Sequence, residues 1–326
     1  MKTIYSFLSA LGAGLRGRRA GLFSAALSLA AVISLAGSFG AGAQTLPSLL
    51  VGSDAAALSR AGVSVSSEAG AYALENNVAA MSLSEQRLNA GASFGMWQPS
   101  YSNNKVIGVG AMFKATDALA VGATFKYLTS PSYETVTESG TTSRDGSFTP
   151  KEFNIAAGVS YAILPCLSAG LTARVLHSSL ARDASATVFG VDLGVSFRLK
   201  GISAGLSVNN LGTKAKYDGS SYSQPMLLKA GAGYDFTFGK SLLGISAEAD
   251  YLFARAFMAG AAVQYGWNDM VFVRCGYHYG DSAKAIPSYA SAGIGVKFFG
   301  VSLDAAYLFA SKVLQNSLGV TLGYSF

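Results

Sequence analysis

The stretch Asn316–Phe326, N-S-L-G-V-T-L-G-Y-S-F, alternates strictly between apolar residues and small or polar ones. Alternate side chains of an extended strand point to opposite faces, so one face carries Leu318, Val320, Leu322, Tyr324 and Phe326. A transmembrane β-strand needs about 9–11 residues, apolar toward lipid and small or polar toward a lumen, and this stretch fits in length and pattern. A half-buried strand of a soluble sandwich has the same alternation, so the rest of the chain must decide between the two.

The composition favours the membrane alternative. Only 13% of the 326 residues are charged, about half of the ~25% that is usual for soluble domains, whereas the chain holds 38 Gly, 16 Tyr and 19 Phe. The formal net charge of +6 includes four basic residues, Lys2, Arg16, Arg18 and Arg19, that precede any acidic one. Without those four, 20 basic residues stand against 18 acidic ones, and this near balance provides no basic surface for nucleic acid.

Residues 1–43 have the layout of a signal peptide. A basic n-region precedes an apolar run from Ala20 to about Phe39, and Ala41-Gly42-Ala43 forms an A-x-A cleavage site, so Gln44 is the expected mature N-terminus. The alternative is an uncleaved membrane anchor. After Gln44 no segment approaches the ~18 consecutive apolar residues of a membrane helix, so we expect an exported protein that enters a membrane only as strands.

Residues 44–86 differ from everything that follows and are predicted to form an N-terminal plug. Helix-capping residues open two short helical segments in it, but a segment this short can hardly fold alone. We therefore expect it to fill the lumen of a barrel, where its charged side chains meet charges on the wall. The residues on which this prediction rests are Asp54, Arg60, Gly62, Glu75, Asn76 and Asn77.

Residues 87–326 consist of repeated strand-like segments. We count about fourteen, at 87–97, 105–115, 118–129, 151–161, 167–180, 185–199, 202–210, 227–237, 241–253, 256–266, 270–280, 289–299, 301–310 and 316–326. Their connections alternate between short and long, and Ala254-Arg255 is the one short member of the longer class. Such alternation is expected of antiparallel strands that cross a bilayer with tight turns on one side and longer loops on the other. The prediction is an all-β membrane protein, a closed antiparallel transmembrane barrel of about fourteen strands, in which 316–326 pairs with 87–97 and removes the sheet edges.

The same alternation assigns a set of charged residues to the lumen. These are Lys126, Arg174, Asp192, Lys229, Glu248, Asp250, Arg274, Lys297 and Asp304. They form either a substrate path or a self-compensating network that grips the plug, and the near balance of sign favours the network. The two histidines and the absence of H-E-x-x-H and G-x-S-x-G motifs give no basis for an enzyme, a metal or a cofactor.

Two stretches resemble the PorV/PorQ family of FadL-like outer-membrane proteins. One lies in the plug, from L-P-S-L-L-V-G-S-D-A-A-A to E-N-N-V-A-A-M, and the other is Y-A-S-A-G-I-G-V-K-F-F-G-V-S-L-D-A-A-Y-L-F at 289–309. The chain departs from the family at Arg60-Ala61-Gly62, where relatives have a G-M-G-like turn, and at Val78, where many have proline. The resemblance also implies that Phe326 is the outer-membrane assembly signal.

The resemblance implies a role in type IX secretion. Its partners would be the secretion translocon, the C-terminal signal domains of cargo proteins, the surface attachment complex and the lipid of the outer membrane. The binding surface would be the external loops Ser130–Pro150 and Leu211–Met226, which carry the aromatic residues Tyr133, Phe148, Tyr217 and Tyr222. These aromatics serve either as partner anchors or as packing within the loops. The competing function is a FadL-type diffusion channel for small hydrophobic molecules.

Overall fold

The computed structural model describes residues 46–136, 142–253, 256–281 and 285–326. The predicted signal peptide and the predicted mature N-terminus lie outside these ranges. Eighteen strands lie within them, and fourteen of these form one closed barrel in which every neighbouring pair is antiparallel. The predicted fourteen-stranded barrel is therefore confirmed.

The barrel strands follow the predicted segments to within a few residues at each end. They are β1 (Leu88–Trp97), β2 (Asn104–Lys114), β3 (Leu119–Thr129), β6 (Lys151–Leu164), β7 (Leu167–Ala181), β8 (Ala184–Leu199), β9 (Ile202–Gly212), β12 (Leu227–Phe238), β13 (Ser241–Leu252), β14 (Ala256–Trp267), β15 (Val271–Gly280), β16 (Tyr289–Phe298), β17 (Val301–Phe309) and β18 (Leu318–Ser325). β18 closes the barrel against β1, in a register from Asn89 opposite Ser325 to Met96 opposite Leu318.

The two ends of the barrel differ in their connections. At one end the strands are joined by turns of two to four residues, and the chain leaves the barrel there at Phe326. The other end carries the longer loops, although the connections that follow β7 and β13 are only two and three residues long, and two of the longer loops contain hairpins. The first hairpin is β4 (Tyr133–Val136) with β5 (Thr142–Phe148), and the second is β10 (Ala215–Tyr217) with β11 (Ser220–Tyr222).

The outer face of the wall is apolar and exposed, as a lipid-facing surface requires. On β6, for example, Ile155, Val159 and Tyr161 point outward and are exposed, whereas Asn154 and Ser160, which have the opposite parity, are buried in the interior. Small inward residues leave room for the plug. A Cβ atom on Gly205 would overlap the carbonyl oxygen of Val65, so the plug backbone lies directly on the wall at this point.

Residues 46–86 lie inside the barrel as a chain of short helical segments. These are a 3₁₀ turn at Pro47–Leu49, α1 at Ala55–Ser59, α2 at Ala73–Asn76 and a 3₁₀ helix at Val78–Leu83. The contacts of these segments are with inward side chains of the barrel, and most of their apolar residues are buried. Within the described residues, no helix has both the length and the apolar character needed to cross a membrane.

Candidate functional site

Lys126 on β3 is one of the wall's main attachments to the plug. Its ammonium group forms an ion pair with Glu75 at 2.8 Å and donates hydrogen bonds to the carbonyl oxygens of Ser48 and Val51 at 3.2 and 2.6 Å. An ammonium group has three donors, so each can have a plug partner. Because Lys126 is buried, this set of contacts compensates its charge away from water.

Glu248 on β13 holds a different part of the plug. One carboxylate oxygen accepts hydrogen bonds from the backbone N–H groups of Ser64 and Val65, both at 2.7 Å. The other oxygen pairs with Lys229 of β12 at 2.6 Å, and Lys229 also donates to the Ser64 hydroxyl at 3.1 Å. Two backbone donors and one ammonium group thus neutralise a buried carboxylate, and the plug cannot leave without breaking these bonds.

The other predicted lumen charges form contacts within the wall or near its rim. Arg174 pairs with Asp192, and Arg274 pairs with Asp304 at 2.6 Å. Lys297 pairs with Asp269, which lies in a short turn and is 75% exposed. Among the described residues Asp250 has a buried carboxylate oxygen without a hydrogen-bond partner.

The predicted plug residues mostly organise the plug itself. Asp54 caps α1 by accepting a hydrogen bond from the Ala56 N–H at 2.9 Å, and the Asn76 amide donates to the Asp54 carboxylate at 3.3 Å. Burial raises the pKa of Asp54, although Arg60 nearby acts in the opposite direction. Burial lowers the pKa of Arg60, and the charge of Arg274 adds to that effect. The sequence predicts that three plug charges, Asp54, Arg60 and Glu75, meet the wall. Within the described part of the chain, Glu75 is the one that forms an ion pair with a wall residue, whereas Asp54 forms its hydrogen bonds inside the plug and Arg60 has no ion pair.

Gly62 and Asn77 occupy turns that the plug needs. Gly62 follows α1 with φ of 82°, a conformation that glycine adopts without strain, and its N–H bonds to the Ala57 carbonyl at 2.9 Å. Asn77 caps the 3₁₀ helix through the Ala79 N–H at 3.1 Å. Its amide also donates to the carbonyl oxygens of Val65 at 2.9 Å and Val195 at 3.0 Å, so it joins two plug segments to the wall.

Several plug contacts come from residues that the sequence did not single out. Glu152, which is 2% exposed, accepts hydrogen bonds from the Ser48 N–H at 3.1 Å and from the Ser178 hydroxyl at 2.9 Å. Small hydroxyl side chains of the wall form hydrogen bonds with other backbone groups of the plug. These side chains belong to Ser160, Ser168, Ser291 and Thr321. Strand alternation predicts that these residues point inward, but Ser and Thr are so common that it cannot select them.

The two outer hairpins carry the four predicted aromatic anchors, and they differ. In the first, Tyr133 is exposed, its ring lies 5.9 Å from that of Phe148, and its hydroxyl donates to the Leu180 carbonyl at 2.9 Å. In the second, the prediction of an exposed Tyr217 is wrong, because its side chain is only 7% exposed. This hairpin folds toward the lumen, and Tyr217 packs in a buried cluster with Leu46 while Tyr222 is partly buried against it.

The described residues enclose at least two cavities inside the barrel. One of about 120 Å³ lies between the plug and the outer loops and is lined by both apolar and charged residues, among them Leu50, Trp97, Met258 and Lys126. The other, of about 450 Å³, lies at the short-turn end and has a mainly polar lining that includes charged residues such as Asp235, Arg274 and Asp304. Within the described ranges no group of three or more His, Cys, Asp or Glu residues is arranged to hold a metal ion.

A closed fourteen-stranded barrel with an apolar outer face and a plug bonded to its wall defines a plugged outer-membrane protein. The family described as type IX secretion system protein PorV matches residues 41–255, about two thirds of the chain. The chain belongs to the PorV family, and it therefore resides in the outer membrane and has its role in type IX secretion. No curated protein matches the sequence.

Solved structures show the same fold at low identity. The toluene transporter TodX of Pseudomonas putida is 14% identical, with a TM-score of 0.62 over 85% of this chain and 98% of that one. The toluene transporter TbuX of Ralstonia pickettii is 10% identical, with a TM-score of 0.60 over 82% and 96%. The monoaromatic hydrocarbon channel CymD is 13% identical, with a TM-score of 0.60 over 85% and 98%. These similarities show that the chain has the same barrel fold as these proteins.

Proposed function

We propose that this protein is an outer-membrane carrier for type IX cargo. It takes a cargo protein by its folded C-terminal signal domain from the translocon and delivers it to the surface attachment complex. The family match supports the secretion setting. The observation that carries the proposal is the plug, because its attachment to the wall leaves the outer loops as the available binding surface.

The plug is attached to opposite parts of the wall by buried charged groups. Lys126 binds it through Glu75 on one side, and Glu248 binds the backbone of Ser64 and Val65 on another. Undocking would break these charge-assisted hydrogen bonds, each of which contributes about 1.5–3 kcal/mol. A lumen closed in this way is a poor route for bulky solutes, whereas a carrier that binds its cargo outside needs no open lumen.

The hairpin β4–β5 is the part of the outer surface best suited to hold a partner. Tyr133 and Phe148 form a ring pair at its base, and the hydrogen bond from Tyr133 to Leu180 ties the hairpin to the end of β7. The paired strands β4 and β5 lose less conformational entropy on association than unpaired segments would. Exposed tyrosine is also among the residues that contribute most to protein interfaces.

The test is complementation of a deletion strain in the native host. One variant replaces residues 131–149 with a short Gly/Ser linker, and the matched control changes Tyr101→Ala in the β1–β2 loop, where this side chain is 65% exposed. We expect the hairpin variant to retain cargo in the periplasm, while the control secretes normally. Pull-down of the wild-type protein should recover the translocon and cargo bearing the C-terminal domain. If the hairpin variant reaches the membrane as a folded barrel and still secretes at the wild-type rate, the proposed binding surface is wrong.

The second candidate function is a diffusion channel for small hydrophobic molecules. Two observations favour it: the fold similarity to hydrocarbon transporters and the apolar part of the 120 Å³ cavity, formed by Leu50, Trp97 and Met258. Such a channel would purify with a hydrophobic ligand in its lumen. Its uptake of toluene would be independent of residues 131–149, which distinguishes it from the carrier.

A further inference from the structure

Phe299 occupies a turn position that suits other residues better. It is the first residue of the two-residue turn between β16 and β17, with φ of 49°, and Gly300 follows with φ of 81°. Such turns favour Asn, Asp or Gly at the first position, since bulky side chains are strained in the left-handed region. The turn between β8 and β9 has the same geometry, with Lys200 at φ of 49° and Gly201 at 83°. At the same end of the barrel, a charged residue thus occupies the turn position that corresponds to Phe299.

The side chain of Phe299 is also the most exposed large hydrophobic group of the described residues, at 87%. Its only ring contact among them is with Phe298, edge to face, with centroids 4.2 Å apart. Phe298 is the last outward residue of β16, beyond Ile294 and Val296, and so belongs to the lipid-facing wall. The contact places the Phe299 ring beside the apolar band of the barrel.

The surroundings of the turn extend this aromatic surface. Gly300 lies against the end of β18, where the Ser325 N–H donates to its carbonyl at 2.8 Å and the Tyr324 ring is close. Tyr324 and Phe326 are both exposed there. A strained, exposed phenylalanine that continues a lipid-facing aromatic surface gains most from the boundary between lipid headgroups and acyl chains, where aromatic side chains are enriched.

We propose that Phe299, supported by Phe298, is a membrane anchor that inserts into the interfacial layer of the periplasmic leaflet next to the closing strand. Its ligand is the lipid surface itself. Contact with the leaflet offsets the strain of the turn and fixes the depth of β16 to β18 in the bilayer. Lys200, the charged residue at the matching position of the β8–β9 turn, does not insert into the leaflet in this way.

The first test measures depth by tryptophan fluorescence in phosphatidylcholine vesicles, with or without brominated acyl chains. The W267F variant removes the lipid-facing tryptophan and leaves the buried Trp97, and F299W is then added to it. We expect the added emission to be quenched by the brominated lipid and protected from acrylamide. Quenching by acrylamide without quenching by the brominated lipid would overturn the proposal, and is the result expected if the ring awaits a periplasmic protein.

The second test compares the same substitution in the two matched turns, F299N and K200N, by reversible urea unfolding in the same vesicles. Asn suits the left-handed position in both, so K200N should shift the equilibrium toward the folded barrel. F299N relieves the same backbone strain but loses the contact of the ring with lipid. We therefore expect the unfolding equilibrium constant to rise about threefold or more. If F299N stabilises the barrel as K200N does, the ring contributes nothing in the membrane and the anchor does not exist.

Discussion

Replacing Glu248 with glutamine should loosen the plug without changing the shape of the barrel. In the native protein Glu248 accepts two plug N–H bonds at 2.7 Å and pairs with Lys229 at 2.6 Å, and both side chains are nearly inaccessible to solvent. Glutamine keeps a carbonyl oxygen for the plug but removes the charge, so the buried Lys229 loses its ion pair at 2.6 Å and keeps only Asp250, opposite it on β13, as a neighbouring carboxylate. Breaking a buried pair costs about 3–5 kcal/mol, and the retained amide lowers this to about 3 kcal/mol.

That magnitude can be measured as hydrogen exchange of the plug amides in lipid nanodiscs. A loss of about 3 kcal/mol raises the population of the undocked plug by about 100-fold, and the protection of the Ser64 and Val65 amides should fall by that factor. The double variant Lys229→Met with Glu248→Gln removes the uncompensated charge and should restore most of the protection. The control Asp269→Asn breaks an exposed pair and should change protection by less than about 0.5 kcal/mol.

Two results would refute this reasoning. If Glu248→Gln exchanged at the native rate, the plug would be held by other contacts and the carboxylate would be incidental. If the double variant were no better protected than the single one, the loss would come from altered hydrogen bonding and not from the buried charge of Lys229. Amides of the barrel strands serve as the internal reference, since their exchange should be the same in all variants.

Three further predictions concern the plug and its contact with the outer hairpin. Lys126→Met should release Glu75 from the wall and so increase the flux of small solutes through the barrel in planar bilayers. Unchanged conductance would contradict this prediction. Tyr217→Ala should open the buried contact with Leu46, at a cost of about 3 kcal/mol, and expose the β10–β11 hairpin to protease. Asp54→Asn keeps the α1 cap without a charge. Because burial raises the pKa of Asp54, the charged form is disfavoured on folding, so the plug protection gained by Asn should grow as the pH rises above the ordinary range of Asp.

The barrel could be predicted because a transmembrane strand shows its two faces in the sequence. β13 illustrates this, since Leu243, Ile245 and Ala247 alternate with Gly244 and Ser246 through the predicted strand. The number of such segments predicted the strand number, and the alternation of short and long connections indicated a barrel that β18 closes. Both signals are local and periodic, and a single sequence contains them.

The partners inside the lumen could not be predicted, because each depends on where a non-periodic segment lies. Alternation placed Lys126 and Glu248 inward, but it did not indicate that one binds Glu75 and the other binds a plug backbone. The error at Tyr217 has the same origin. A tyrosine in a long loop is normally exposed, and only the inward fold of β10–β11 over Leu46 buries it.

This inward fold gives the plug a role in the proposed carrier. Leu46, at the start of the described plug, is 1% exposed and packs beneath Tyr217, so the top of the plug is part of the core that supports an outer hairpin. Two residues further along the plug, the Ser48 N–H donates to Glu152, which lies near the start of β6, the strand that follows β4–β5. Both outer hairpins are thus adjacent to wall positions that the plug stabilises. In the proposed carrier, the role of this plug is to order the outer hairpins before a partner arrives, which would lower the entropic cost of binding outside.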